Sequence, residues 1–113
     1  MPKYLAMFTY SSGSWARLIN TPEDRTAAAE KVVEALGGTL ECIYWQMDSE
    51  EDGLAIADFP DSIAASAVQT AINKTGAFKT VDIHELLTCN QLRQRLILAK
   101  DATQVYDVPG QSE

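Results

Sequence analysis

The chain has 113 residues and a mass of 12.4 kDa, which is enough for one hydrophobic core and too little for two. Its 46% hydrophobic and 22% charged residues are typical of a globular protein and exclude a disordered or fibrous one. The formal net charge of −7, from 16 acidic and 9 basic side chains, repels phosphate backbones and anionic lipid, so we expect neither nucleic acid nor a membrane as a partner.

The N-terminal segment, MPKYLAMFTYSSGS, lacks the pattern of a signal peptide, because its apolar run is short, contains tyrosines and follows no basic stretch. No later run approaches the length of about 20 apolar residues that crosses a bilayer. Cys42 and Cys89 are far apart and outside a Cys-x-x-Cys spacing, as expected of reduced thiols. We therefore expect a cytoplasmic protein.

The first third of the chain predicts a strand followed by helices. Residues 3–10, KYLAMFTY, are aromatic and apolar and end at a Ser-Ser-Gly turn, which is typical of a strand. Ser14 can then cap a short helical turn. The main helix is expected to begin with Thr21 as its N-cap and Pro22 in its first position, and to end at residues 37–38, a glycine pair.

The rest of the chain predicts a hairpin, a helix, a strand and a last helix. These elements are strands over residues 39–47 and 53–59, a helix from Pro60-Asp61 to Thr75-Gly76, and a strand over residues 77–87. Thr88 and Gln91 have the spacing of a capping box for a helix that ends near Lys100. We expect one domain over residues 1–100 and a loosely ordered tail over residues 101–113.

The order of these elements, βαββαβ with an added C-terminal helix, predicts the α+β class. It suits the ferredoxin-like arrangement, a four-stranded antiparallel sheet with two helices on one face. Both faces of the sheet are apolar in sequence. Strict alternation puts Leu5 and Met7 opposite Tyr4, Ala6, Phe8 and Tyr10, and it puts Leu40, Cys42 and Tyr44 opposite Ile43, Trp45 and Met47.

An apolar face that no helix covers predicts a partner. Leaving large apolar side chains in water forfeits about 1.5 to 3 kcal/mol each, and the exposed patch would exceed that of most monomers. We therefore expect a symmetric homodimer in which two copies pack sheet against sheet.

The segment between the two hairpin strands is acidic, with Asp48, Glu50, Glu51 and Asp52 in five positions. Alternating carboxylates can bind a hard cation such as calcium. However, the segment lacks the spacing and the distal glutamate of a calcium-binding loop. We therefore interpret it as a solvated turn and predict no metal site.

His84 is the only histidine, and it shares a face of the last strand with Asp82. If Val81 and Ile83 face the helices, Asp82 and His84 face the space between the two sheets of the dimer. A histidine beside an aspartate can act as a general base, with Tyr10 or Tyr44 as a nearby hydrogen-bond donor. The alternative is a histidine with no catalytic role, either hydrogen-bonded at the end of a strand or exposed at the edge of the sheet.

A second group of residues has the composition of a ligand pocket. Trp15, Arg17, Tyr44 and Trp45 could line a pocket between the first helix and the sheet, where Arg17 would bind a carboxylate. The alternative is that the aromatic residues are core or interface residues. Arg25 is expected to pair with nearby acids on the helix surface.

Several segments resemble, in the same order, the GYD family of small bacterial proteins, which belongs to the dimeric α+β barrels. The segments are KYLAMFTY, PEDR, EALGG, the Tyr-Trp pair, GAFKT and ELLT. Where the Gly-Tyr-Asp motif of the family aligns, residues 49–52 read Ser-Glu-Glu-Asp, which keeps the aspartate and lacks the aromatic residue. The resemblance implies a ferredoxin-like protomer and a homodimer, and it brings no established reaction. Some related barrels bind haem through one histidine, so the resemblance does not determine whether this protein has a cofactor.

Three functions are open on this basis. The first is a homodimer that binds a small molecule between sheet and helices. The second, by analogy with the wider superfamily, is a cofactor-independent monooxygenase or isomerase for an enolisable or aromatic metabolite, with His84 as the base. The third is a structural or regulatory protein. An apolar cavity with a few polar groups would favour the small-molecule-binding protein. His84 inside that cavity would favour the enzyme, and a filled interior would favour the structural or regulatory protein.

Overall fold

The structure, a computed structural model, describes residues 1–110 as four strands and four helices. The strands are β1 (Lys3–Tyr10), β2 (Thr39–Trp45), β3 (Gly53–Asp58) and β4 (Phe78–Leu86). The helices are α1 (Ser12–Asn20), α2 (Thr26–Ala35), α3 (Ser62–Asn73) and α4 (Cys89–Thr103). The strands form one antiparallel sheet in the order β2-β3-β1-β4, which confirms the predicted ferredoxin-like α+β fold.

The boundary between the two N-terminal helices differs from the prediction. α1 is capped by Ser11, whose hydroxyl accepts a hydrogen bond from the Ser14 backbone N–H at 3.2 Å. The backbone N–H of Thr21 donates to a carbonyl of α1 at 2.9 Å, so Thr21 ends that helix. α2 begins at Thr26, whose backbone N–H donates to Asp24 Oδ1 at 2.9 Å. The prediction that Thr21 begins the main helix is therefore wrong.

The later helix starts follow their sequence signals. Asp61 caps α3 by accepting a hydrogen bond from the Ala64 backbone N–H at 2.8 Å. Thr88 and Gln91 form the predicted capping box at the start of α4. α4 ends at Thr103, beyond the predicted end near Lys100. Residues 111–113 of the predicted tail lie outside the described residues.

A bulge at Glu41 changes which side chains of β2 share a face. Leu40 pairs with Ala57 and Cys42 pairs with Ile56, so Glu41 is the extra residue. Leu40 consequently lies on the helix side of the sheet with Ile43. The prediction by strict alternation, which put Leu40 on the face of Cys42 and Tyr44, is wrong by one residue at this bulge.

The core lies between the sheet and the helices, with α2 packed on β2 and α3 on β4. Its buried centre consists of Tyr4, Val33, Ala57, Phe59 and Ala65. The rings of Tyr4 and Phe59 meet edge to face at a centroid distance of 5.8 Å. Desolvation in this packing raises the pKa of the Tyr4 phenol. The core therefore occupies the helix side of the sheet alone.

The opposite side of the sheet, which we call the open face, is only partly covered by residues 1–110. Strand alternation and pairing assign to it Leu5, Met7, Cys42, Tyr44, Leu54, Ile56, Asp82 and His84. The apolar members are half-buried except for Tyr44, which is 65% exposed. Both faces of the sheet are thus apolar, as the sequence predicted. Among the described helices, none has the length and apolarity that a bilayer span requires.

Candidate functional site

A cavity of about 160 Å³ lies within the core, between the sheet and helices α2 and α3. Facing layers of alanine create it. Ala6 and Ala55 are paired neighbours in the sheet, and Ala57 lies beside them on β3, while Ala28 and Ala29 line the cavity from α2. Since alanine extends only one carbon from the backbone, the two layers leave a space that longer side chains would fill.

The cavity is partly open to the outside and is not a sealed void. A small molecule can therefore enter it, and an apolar group placed there would be removed from water.

The lining is mostly apolar, and its polar groups are the Arg25 guanidinium and the phenols of Tyr10 and Tyr4. Arg25 donates from Nε to the phenolic oxygen of Tyr10 at 3.2 Å and from a terminal nitrogen to Glu23 at 2.7 Å. The hydrogen bond to Tyr10, followed by the one to Glu23, raises the pKa of the Arg25 guanidinium above its usual value. Arg25 is therefore a fixed positive charge at the edge of an apolar cavity.

Three aromatic rings meet beside this charge. The Tyr10 ring lies 5.5 Å from that of Trp15 and 5.4 Å from that of Trp45, and the two indoles are 5.9 Å apart. Trp15 and Trp45 also line a groove of about 500 Å³, and Arg25 lines both this groove and the cavity. The groove and the cavity thus meet at Arg25, and the indoles form the groove's aromatic wall.

Asp52 fixes the hairpin against this cluster. One of its carboxylate oxygens accepts hydrogen bonds from the Tyr10 backbone N–H at 2.9 Å and from Trp15 Nε1 at 3.1 Å. Its own backbone N–H donates to the Phe8 carbonyl at 2.9 Å. The role of Asp52 in this structure is to position aromatic residues.

The acidic segment forms the turn that the sequence predicted. Asp48 has a positive φ of 56°, a conformation that aspartate tolerates in turns. Within residues 1–110, no group of three or more histidine, cysteine, aspartate or glutamate side chains is arranged to hold a metal ion.

The predicted ligand-binding residues are brought together only in part. Trp15 and Trp45 are neighbours, as described above. Arg17 donates to Ser14 Oγ at 3.1 Å and lines a separate groove of about 440 Å³ that also contains Arg25. Tyr44 does not join them, because it precedes Trp45 in β2 and alternation turns it to the open face.

The predicted catalytic residues are separated by the sheet. Val81 and Ile83 line the cavity, so Asp82 and His84 lie on the open face, where both are exposed in the single chain. Tyr10 lines the cavity on the other side. One chain therefore does not bring Tyr10 together with His84, and His84 is outside the cavity that the enzymatic hypothesis requires. A catalytic role for the Asp82 and His84 pair on the open face stays a prediction.

Sequence analysis missed the cavity and two of the residues beside it. Arg25 was expected to pair with acids on a helix surface, and it does contact Glu23, but it also faces the cavity. Asp52 was assigned to a solvated turn. In the sequence, Arg25 and Asp52 are notable only for their aromatic and acidic neighbours. Those neighbours do not specify which contacts the two side chains make in the fold.

The comparisons with known proteins support one assignment. No curated protein matches the chain. The GYD domain family matches residues 4–96, which includes the four strands except for Lys3 and about the first half of α4. The chain therefore belongs to the GYD domain family.

Proposed function

We propose that this protein is a homodimer that binds a small molecule, with an apolar group of the ligand in the cavity and its polar end beside Arg25. The cavity is the observation that carries the proposal. In another protein, an engineered apolar cavity of about 150 Å³ binds benzene. The present cavity, about 160 Å³ in volume, therefore suits a single aromatic ring or a branched chain of similar size.

The polar end of the ligand is assigned from charge. Arg25 contributes the guanidinium at the junction of cavity and groove, and guanidinium groups pair with carboxylates in a planar fork. Tyr10 and Glu23 hold the Arg25 side chain in place, so its orientation is largely set before a ligand arrives. Glu23, Asp24 and Asp52 also line the groove, whereas Arg25 is the one charged residue among those that line the cavity. We therefore place a carboxylate or a comparable acceptor of the ligand on the cavity side of Arg25, and we expect such a ligand to bind better than a neutral or cationic one of equal size.

We infer a homodimer from the open face. Its half-buried apolar side chains would gain burial against a second copy, and a two-fold axis would make the contact self-complementary. The free thiols of Cys42 and Cys89 support a reducing compartment, and we place the protein in the cytoplasm of a bacterium, as the family resemblance suggests.

Ligand class is tested with three probes that share one ring: benzoate, toluene and benzylamine. Titrations are followed by tryptophan fluorescence, since Trp15 and Trp45 line the adjoining groove, and by calorimetry. We expect benzoate to bind at least about tenfold more tightly than toluene, and benzylamine to bind most weakly. Arg25→Gln should remove the preference for benzoate, whereas Arg17→Gln, which removes an arginine that does not line the cavity, should preserve it.

The location of the site is tested with two neighbouring alanines of α2. Ala28 lines the cavity and Ala27 is exposed. Ala28→Leu should reduce benzoate affinity at least about tenfold, because the added carbons occupy the space, and Ala27→Leu should leave it unchanged. Equal affinities of the two variants would show that the ring binds elsewhere.

The homodimer is tested by sedimentation equilibrium. Tyr44→Glu places a charge on the open face, and Ile63→Glu places the same charge on α3 at a residue that is 78% exposed. Only Tyr44→Glu should weaken the dimer. A wild-type protein that sediments as a monomer at all concentrations would contradict this part of the proposal.

A further inference from the structure

The last helix, α4, carries an apolar stripe that residues 1–110 leave unburied. Leu92, Leu96 and Ala99 recur at intervals of four and three residues, which puts them on one side of the helix. None of the residues of α4 is buried, and Leu96 is 59% exposed. Arg95 and Lys100 flank the stripe, at three residues from Leu92 and four from Leu96.

We infer that α4 is an arm that packs its leucine stripe on the body of a second copy of this chain, where the body is residues 1–88. The inference rests on the homodimer proposed above and adds the surface and the segment that complete it. In a two-fold dimer each copy would give its arm and receive the arm of its partner.

Within residues 1–110, the arm makes no extensive contact with its own body. Only residues 87 and 88 separate the end of β4 from the start of α4, and the capping box of Thr88 and Gln91 fixes the first turn. A helix of this length extends about 22 Å. The described chain is accordingly elongated, with a longest dimension of 64 Å and a radius of gyration of 18.3 Å, where a compact chain of this size has about 13 Å.

The exposed area matches what a dimer would bury. The single chain exposes 8239 Å², whereas a compact monomer of 12.4 kDa exposes about 6,100 Å². The excess of about 2,000 Å² per chain exceeds the roughly 800 Å² that each partner contributes to an interface of standard size. The open face and the arm together thus supply enough surface for a stable, extensive interface.

Charge favours the body of the partner over the arm of the partner. The body carries 13 acidic and 6 basic side chains. The arm carries three basic side chains, Arg93, Arg95 and Lys100, and one acidic side chain, Asp101. Two arms would repel each other, whereas an arm and an acidic body attract.

The test compares two variants of the full chain that each add one negative charge to α4. Leu96→Glu places it in the stripe. Gln94→Glu places it two residues earlier, on the other side of the helix. Dimer dissociation constants are measured by sedimentation equilibrium, and the helix content of each variant by circular dichroism. We expect Leu96→Glu to raise the dissociation constant at least about tenfold and Gln94→Glu to change it less than about threefold.

Hydrogen exchange of the wild-type dimer provides a measurement that needs no variant. If the arm packs on the partner, the amides of Cys89–Thr103 exchange slowly in the dimer and faster on dilution to monomer. A dimer whose α4 amides exchange freely, or whose affinity is the same with Leu96→Glu as in the wild type, overturns the arm and leaves the sheet-face homodimer intact. Equal weakening by both variants also overturns it, since charge alone would then explain the effect. A monomeric wild type overturns the arm and the homodimer together.

Discussion

Trp15 and Asp52 connect the first helix to the hairpin between β2 and β3, because Trp15 Nε1 donates to Asp52 Oδ2 at 3.1 Å. The same oxygen accepts the Tyr10 backbone N–H. Asp52→Ala removes the acceptor for both donors, and we expect the free energy of unfolding to fall by about 1 to 3 kcal/mol. Urea titration measures the loss, and a red shift of tryptophan emission would report the added exposure of Trp15.

Glu50 is the matched control for Asp52, because both acids belong to the same turn. In the described residues, Glu50 contributes its backbone carbonyl to a hydrogen bond from Thr9 Oγ1, and alanine retains that carbonyl. Glu50→Ala should change the stability by less than about 0.5 kcal/mol. Similar losses for the two variants would show that the turn's charge, and not the contact to Trp15, stabilises this region.

Acidification should weaken the start of α2 through Asp24. Hydrogen bonding from the Thr26 side chain, with a smaller effect of its backbone N–H, lowers the pKa of Asp24. Because the folded pKa is depressed, the unfolded state binds the proton more tightly. The contribution to stability is present above the ordinary pKa of about 4 and is lost as the pH falls through the folded value.

Asp24→Asn tests this sign, since asparagine keeps an acceptor oxygen but cannot titrate. Urea midpoints of the wild type and the variant should differ at about pH 6, and the difference should shrink as the pH falls below the ordinary pKa of about 4. Because Asp24 is exposed, added salt should reduce the difference at the higher pH. A difference that stays constant across this range would contradict the assignment.

Two glycines are predicted to respond in opposite directions to alanine. A Cβ at Gly38 would clash with the Asp58 carbonyl oxygen and would lie 2.9 Å from a ring carbon of Phe59. A Cβ at Gly13, within α1, would meet nothing closer than Arg17 at 3.5 Å. Gly38→Ala should therefore destabilise the fold by about 1 to 3 kcal/mol or more, and Gly13→Ala should stabilise it by up to about 1 kcal/mol. Thermal unfolding of both variants measures the contrast.

The fold was predictable because most element boundaries follow from short-range chemistry. The capping box of Thr88 and Gln91 determines the start of α4 by itself, and Asp61 does the same for α3. The prediction for the start of α2 failed because the sequence contains two adjacent signals for a helix start. Thr21 is a good N-cap in sequence, yet in the structure it ends α1. The N-cap of α2 is Arg25, and Asp24 accepts the hydrogen bond from the Thr26 backbone N–H.

The faces of β2 could be predicted only up to the bulge. Alternation holds from Cys42 to Trp45, which correctly separates Tyr44 from Trp45, and it fails at Leu40 because Glu41 is inserted. A sequence pattern contains no mark for an extra residue. The predicted pocket failed for a related reason, since it grouped Tyr44 and Trp45 although neighbouring residues of a strand point to opposite faces.

The cavity could not have been predicted from any one segment. The cavity lies between two layers, and its lining includes Ala6 and Ala55 in the sheet and Ala28 and Ala29 in a helix. Alanines allow close packing only where the backbones approach, and the distance between helix and sheet is a property of the whole core.

Filling the cavity should stabilise the protein while it removes binding. Ala28→Leu adds apolar carbons to a space of about 160 Å³, so we expect the free energy of unfolding to rise by about 0.5 to 2 kcal/mol. In a domain of this size, that is an increase in Tm of several degrees, at about 4 to 8 °C per kcal/mol. Ala27→Leu, on the exposed side of α2, should leave Tm nearly unchanged.

Saturating benzoate should raise the Tm of the wild type and of Ala27→Leu but not that of Ala28→Leu, because a filled cavity leaves no space in which benzoate can bind. If Ala28→Leu instead lowers Tm, the space is too narrow for the added carbons, and the proposed ring-sized ligand would be too large as well.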